Sequence, residues 1–272
     1  MSGIYSLALK LFIMHFDNLA DLVTQAKNCT RCGLCQYRTQ VVCGEGDDNA
    51  RVMFIGEGPG QREDELGRPF VGAAGKFLDE LITVAGFLRQ EVYIANVVKC
   101  RPPQNRDPYP EEITACRDYL NEQIRLINPQ IIVTLGRFSM AMFFDKDLIS
   151  AIHGIPKRVG RVVYYPMYHP AAALYNGSMR EVLLKDAKKI PLIIKKLNKM
   201  EQEGFFAKEE LENEQRKFEQ ENLQKALEIA PSGFKVVDAD VAVTLHNTQE
   251  KDIIAKTDSS ENNLNGGQLP LF

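Results

Sequence analysis

The stretch GEGPGQREDELGRPFVGAAG, residues 56–75, decides the fold. It follows the apolar run Val52 to Ile55 and precedes Lys76 to Ala85, where Phe77, Leu78, Leu81, Ile82 and Ala85 recur at helical spacing. A strand, a long glycine-punctuated loop and a helix therefore succeed one another. In open α/β sheets, ligands bind beyond the carboxyl ends of the strands. A loop in that place carrying Glu57, Glu63, Asp64 and an isolated Phe70 is a candidate active site, against the plainer reading of a rigid connector.

The same alternation continues downstream. Glu91 to Val98 reads as a buried strand interrupted by Asn96. That amide is satisfied either by backbone near the strand end or by a ligand offering a carbonyl and a ring N–H together. Lys99 to Pro110, with Arg101, Pro102, Pro103, Asn105, Arg106 and Pro108, is a proline-stiffened basic loop suited to phosphate contact. Pro110 opens a helix over Glu111 to Ile127, in which Ile113, Cys116, Leu120, Ile124 and Ile127 follow at three- and four-residue steps. Ile131 to Leu135 is another strand, Gly136 opens a helix over Arg137 to Phe144, and Arg161 to Tyr168 is the last strand. It delivers His169, whose imidazole can donate a hydrogen bond to a developing anion. Strands alternating with helices predict a mostly parallel sheet covered on both faces.

At 272 residues and 44% hydrophobic, the chain has room for one α/β domain of about 200 residues and a remainder to be explained separately. The near-neutral net charge of -3 hides an asymmetry: residues 1–200 hold 26 Lys+Arg against 21 Asp+Glu, residues 201–272 hold 7 against 15. A basic body can meet a polyanion, although a solvated surface accounts for the same excess. Ile4 to Met14 is too short to span a bilayer and lacks the flanks of a signal peptide, so no membrane association is expected. Residues 1–16 read as a core-covering segment, with Met14 an alternative start.

Asp17 to Lys27 reads as an amphipathic helix leading to Cys29, Cys32 and Cys35; Cys43, Cys100 and Cys116 complete the set of six. Nothing points to secretion, so Cys29 and Cys32 read better as soft-metal ligands than as a disulfide framework. With Cys100 and Cys116 they suit an iron-sulfur cluster or a structural zinc, and the overlapping C-x-x-C steps lean towards iron-sulfur. Cys35 and Cys43 read as ordinary buried cysteines. Gly72 to Phe77 contains Gly-Lys but has Phe77 where a P-loop needs Ser or Thr, which disfavours nucleotide hydrolysis.

The segments GEGPGQREDELGRPFVGAAGKFLDELI, VYIANVVKCRPPQNRDPYPEEITACRDYL, PQIIVTLGRFSMAMFF and YYPMYHPAAAL resemble, in this order, the bacterial and archaeal family 4 uracil-DNA glycosylases, the iron-sulfur branch of that superfamily. Similarity covers about residues 17–200. The resemblance implies a three-layer α/β/α sandwich that flips uracil out of DNA and hydrolyses its N-glycosidic bond, leaving an abasic site without cutting the backbone. It implies a [4Fe-4S] cluster on Cys29, Cys32, Cys100 and Cys116. It puts Glu57 beside the glycosidic bond, Phe70 on the face of the flipped base, Asn96 on its pyrimidine edge and His169 at uracil O2. Gly58 and Glu63 are expected beside the base, Arg101, Asn105 and Arg106 on DNA, and Leu174 in the loop that wedges into the duplex. Asp64 and Glu65 are left as solvated loop charges. Where many relatives continue the His-Pro-Ala-Ala segment with leucine and arginine, this chain has Ala173-Leu174-Tyr175, which puts one strand contact in doubt. A catalytically inactive iron-sulfur scaffold that binds DNA is the reading from another class.

The likeness ends near residue 200. Residues 201–230 are expected to form a helical extension and residues 231–272 a flexible tail, too poor in aromatics to fold alone. The tail ends in Gln268-Leu269-Pro270-Leu271-Phe272, similar to the Gln-Leu-x-Leu-Phe peptides that dock on bacterial sliding clamps, with Gln268, Leu269, Leu271 and Phe272 as anchors. The residues from 231 to the peptide would reach about 35 Å as a flexible coil. A cytoplasmic, nucleoid-associated monomer is expected.

Overall fold

A computed structural model of the chain describes residues 15–144 and 146–205, together with Lys217. The first 14 residues, most of the expected helical extension, the tail and its terminal peptide lie outside the described residues. Residues 15–205 fall within one compact unit, Ile13–Arg216.

Six strands form one sheet: β1 (Glu45–Gly46), β2 (Val52–Gly56), β3 (Tyr93–Asn96), β4 (Ile131–Leu135), β5 (Lys157–Val159) and β6 (Val162–Met167), in the order β1-β3-β2-β4-β6-β5. The central four run parallel, in registers that include Gly56 opposite Asn96 and Leu135 opposite Met167. Both edge strands are antiparallel to their neighbours. The central strands are buried on both faces, which is why they read as mostly apolar runs.

The helices, in chain order, are α1 (Leu19–Lys27), α2 (Gln61–Leu66), α3 (Ala73–Val84), α4 (Pro110–Ile127), α5 (Arg137–Ala141), α6 (Ile149–Ile152), α7 (Ala172–Tyr175), α8 (Gly177–Ala187) and α9 (Ile190–Gln202). They cover both sides of the sheet, as the α/β/α reading requires. On one side Phe54, Ile94, Val133 and Tyr165 join Leu78, Leu81 and Ile82 of α3 and Leu183, Ile190 and Ile194 of α8 and α9 in one core. The alternate strand residues Met53, Ile55, Ile132 and Tyr164 are buried as well, on the other side. No helix among the described residues is long and apolar enough to cross a membrane.

One expectation needs correction. The segment after Gly60 is not all loop: Gln61–Leu66 is helical and stops at Gly67, whose φ of 68° is left-handed. Asp64 on this helix is not a solvated charge. It is 3% exposed, and its carboxylate accepts from the Thr39 amide at 2.9 Å and, more weakly, from Gln40 at 3.4 Å. A buried carboxylate persists where backbone N–H groups replace its water, and Asp64 has found two. Glu65 does remain exposed.

Candidate active site

Because the central strands are parallel, their carboxyl ends open on one side of the sheet, and that side gathers the predicted residues. Gly56 ends β2, Asn96 ends β3 directly opposite it, and His169 follows β6. Gly56 is the floor: a Cβ placed on it would lie 2.5 Å from Asn96 Oδ1 and 2.5 Å from the Phe70 ring. The Phe70 and His169 rings stack at 5.6 Å between centroids with 29° between planes. Gly56, Phe70, Asn96 and His169 thus come together from four separate segments.

Asn96 is 1% exposed, and its Oδ1 has no hydrogen-bond partner among the described residues. Of the two sequence readings, satisfaction by backbone therefore fails for this oxygen. An unpaired buried acceptor costs about 1–3 kcal/mol, which a ligand N–H can recover.

Phe70 is held in a backbone conformation rarely adopted outside glycine, with φ 50°. Three contacts keep it there. Glu63 Oε1 accepts from Val71 and Gly72 amides at 2.9 and 2.8 Å, and Arg89 donates to the Pro69 carbonyl at 2.6 Å. Gly75 lets the first turn of α3 approach: a Cβ there would sit 1.9 Å from the Phe70 carbonyl oxygen. Glu63, expected at the base edge, spends Oε1 on shaping this loop.

His169 Nδ1 accepts from the Ala171 amide at 3.1 Å, so the remaining ring proton sits on Nε2. Burial drives its pKa down to about 4, against a smaller opposing pull from Glu63, and the imidazole is neutral at physiological pH.

Glu57 stands next to Gly56, its carbonyl accepting from the Val98 amide at 3.0 Å. Burial first, and the negative field of Asp107 second, push its carboxyl up to about 6; Arg137 opposes them. The folded chain thus holds this proton more tightly than the unfolded chain, and stability falls as pH rises from 4.5 to about 6. Glu57→Gln should therefore stabilise the fold by about 1 kcal/mol at pH 8, with no gain at pH 4. Thermal melts at the two pH values measure this; equal midpoints at pH 8 would dismiss the strained carboxylate.

The basic loop is self-engaged. Arg101 Nε donates to Asn105 Oδ1 at 2.8 Å, and Asn105 has φ 55°. Arg106 forms a two-pronged ion pair with Glu112, at 2.9 and 2.7 Å, while its guanidinium lies 3.7 Å from the centre of the Tyr109 ring. Arg106 therefore buttresses the loop. Arg137, not anticipated from sequence, pairs with Asp107 beside Glu57. Gly58 is fitted against Val98, and Leu174 on α7 is 50% exposed next to Tyr175 at 90%.

Cys29, Cys32, Cys100 and Cys116 line one cavity together with Cys35, while Cys43 is buried. Among the described residues the sulfurs do not close into a coordination group of three or more. Their surroundings nevertheless suit thiolates. Arg38 donates to Cys100 Sγ at 3.3 Å and the Lys99 amide donates to Cys116 Sγ at 3.3 Å. Burial pushes the free thiols of Cys100 and Cys116 up to about 11 and about 12, while the donors aimed at these sulfurs favour thiolates, the form in which a metal would be held.

The profile of the Uracil DNA glycosylase superfamily matches residues 43–197, and the chain belongs to that superfamily. Among its relatives are the type-4 uracil-DNA glycosylases of Sulfurisphaera tokodaii, 48% identical over 64% of this chain and 84% of that protein, and of Thermotoga maritima, 46% identical over 66% and 97%. A type-5 uracil-DNA glycosylase of Pyrobaculum aerophilum is more distant, 29% identical over 57% of this chain.

Proposed function

We propose that the chain is a monofunctional uracil-DNA glycosylase of the type-4 kind, acting in DNA repair: it removes uracil from DNA by hydrolysis and leaves an abasic site. The observation that carries this reading is the unpartnered Asn96 Oδ1, buried against Gly56 and facing the stacked Phe70 and His169. A flipped uracil offers that oxygen its N3–H, while the Asn96 amide can donate to O4. Unstacking the base costs a few kcal/mol, which Phe70 and an apolar wedge at Leu174 offset.

As the glycosidic bond breaks, negative charge gathers on uracil O2 and positive character on the sugar. His169 Nε2–H stabilises the first as a neutral donor. Glu57, ionised above about pH 6, either stabilises the second or orients the attacking water. Arg101 and Asn105 supply phosphate contacts and Arg106 holds their loop in shape. A single U:G or U:A duplex tests the reading: uracil release, with strand scission only on later alkali treatment, is expected. A chain that binds the duplex and releases nothing would be the inactive scaffold instead.

Asn96→Asp should reduce discrimination between uracil and cytosine by about 10- to 100-fold. Matched U- and C-containing oligonucleotides measure it, and unchanged selectivity would count decisively against the role.

Cys29, Cys32, Cys100 and Cys116 are the residues that would hold a [4Fe-4S] cluster, with structural zinc the alternative. When bound, the group cross-links the segment after α1 to the loop after β3 and to α4. A visible absorption spectrum of the purified chain separates iron-sulfur from zinc.

The terminal peptide Gln268 to Phe272 supports docking to a sliding clamp, with the basic body on DNA beside it. Deleting residues 268–272 should abolish clamp pull-down and leave uracil release on short oligonucleotides unchanged; retained pull-down would refute the docking.

A further inference from the structure

Past His169 the chain makes one short helical turn, α7, before α8 begins. The turn is tied to the strand end that carries His169: the Ala172 amide donates to the His169 carbonyl at 2.9 Å, and the Ala173 amide to the Pro170 carbonyl at 3.1 Å. Its far end is tied as well. The Asn176 amide donates to the Ala172 carbonyl at 3.1 Å, and the Asn176 side chain caps α8 by accepting from the Ser178 amide at 3.0 Å and the Ser178 hydroxyl at 2.7 Å. Tyr175 therefore projects from a corner whose backbone is fixed on both sides.

Successive residues of a helix point about 100° apart. Ala173 packs against the core, so the two residues after it turn outward in different directions. Leu174 is 50% exposed and Tyr175 90%, and no other large apolar side chain among the described residues is as open to solvent as Tyr175. A lone exposed leucine is ordinary, but a phenol ring held out from a fixed corner beside a base pocket is a stacking surface. One of the two side chains can fill the gap that a flipped base leaves; the other, turned away from it, meets a different partner. The ring is uncharged and forms no ion pair with a phosphate, whereas every base offers it a flat face.

We infer that Tyr175 holds the opposite strand: with Leu174 in the gap, the tyrosine ring stacks on the base that the flipped uracil leaves unpaired. The inference rests on the glycosylase reading above and adds a duplex-specific contact to it. Stacking keeps the widowed base inside the helix and so stabilises the opened duplex. A single strand has no such base, and Tyr175 favours duplex substrates alone.

The test uses the full chain as wild type, Tyr175→Ala and Tyr175→Phe. Single-turnover uracil release is measured on a U:G duplex and on the same uracil-containing strand by itself. In a second measurement a fluorescent aminopurine, quenched by stacking, stands opposite a fluorinated deoxyuridine that resists hydrolysis. A ring so exposed supports no packing, and both variants should melt with the wild type. Tyr175→Ala should lower the ratio of duplex to single-strand rates about tenfold, the scale of one base–aromatic stack, and leave the bound aminopurine brighter than wild type does. Tyr175→Phe keeps the ring and should recover most of both losses.

An equal fall on the two substrates, or no fall on either, would overturn the inference, as would an aminopurine equally bright in wild type and Tyr175→Ala. Tyr175→Phe behaving like Tyr175→Ala would overturn it too, by assigning the contact to the hydroxyl and the DNA backbone. A wild-type chain that releases uracil from neither substrate would overturn the glycosylase reading and this inference with it, an outcome distinct from the others.

Discussion

His169→Ala should lower the single-turnover rate of uracil release by about 10²-fold or more, the range measured when one preorganised donor to a developing anion is removed. Three features set the direction. The ring is oriented by the Ala171 amide on Nδ1, it is stacked on Phe70, and burial holds its pKa near 4, so Nε2–H is a donor without being a charge. Between pH 6 and 8 the wild-type rate should therefore show no step from His169. A loss of rate on acidification should centre near 6, where Glu57 takes up its proton. Glu57→Gln should erase that limb. A near-normal rate for His169→Ala on a U:G duplex would reject the assignment.

The second large effect is expected from one methyl group. Gly56 has ordinary backbone angles, so alanine is tolerated there by the chain itself, but its Cβ would overlap both Asn96 Oδ1 and the Phe70 ring at 2.5 Å. Strand β2 is central and buried, which leaves the methyl nowhere else to go. Either the amide or the ring must move by about an ångström, and misplacement on that scale costs about 10²-fold in rate. Gly56→Ala should therefore still fold and bind DNA while uracil release falls about 10²-fold. Gly33→Ala, with nothing within 4 Å of the added carbon, is the matched control and should behave as wild type. Wild-type excision by Gly56→Ala would mean that the base does not sit against this floor.

Residue patterns made much of this legible. Val52–Gly56 and Ile131–Leu135 are buried on both faces, and such strands announce themselves as apolar runs. Glu57, Asn96 and His169 stood out because each breaks or follows such a run. What escaped notice lacked a periodic signal. Helix α2 is six residues long, β1 only two, and β5 reads Lys-Arg-Val with no apolar alternation. Helix α3 begins three residues before its first Lys because Ala73, Ala74 and Gly75 form no stripe. Asp64 and Lys99 look like surface charges, since their partners lie at residues 39 and 40 in one case and at Gln123 in the other. Arg106 is the converse: a basic residue in a basic loop, engaged by Glu112 of its own chain. The left-handed Phe70 is legible only in hindsight, from Gly72 and Gly75 close behind it.

Neighbouring carboxylates on α2 face opposite ways. Glu63 fastens the loop that presents Phe70, and Asp64 fastens the backbone at Thr39 and Gln40, a few residues past the cysteine turn. The hexapeptide Gln61–Leu66 therefore behaves as a two-sided bracket whose sides are not interchangeable. Swapping the two acids would preserve composition, charge and helix propensity and still release both loops, because one methylene decides which backbone each carboxylate reaches. Anyone grafting a different loop in place of the one that carries Phe70 would have to transplant the bracket with it, along with the stretch at 39 and 40 that the other side grips.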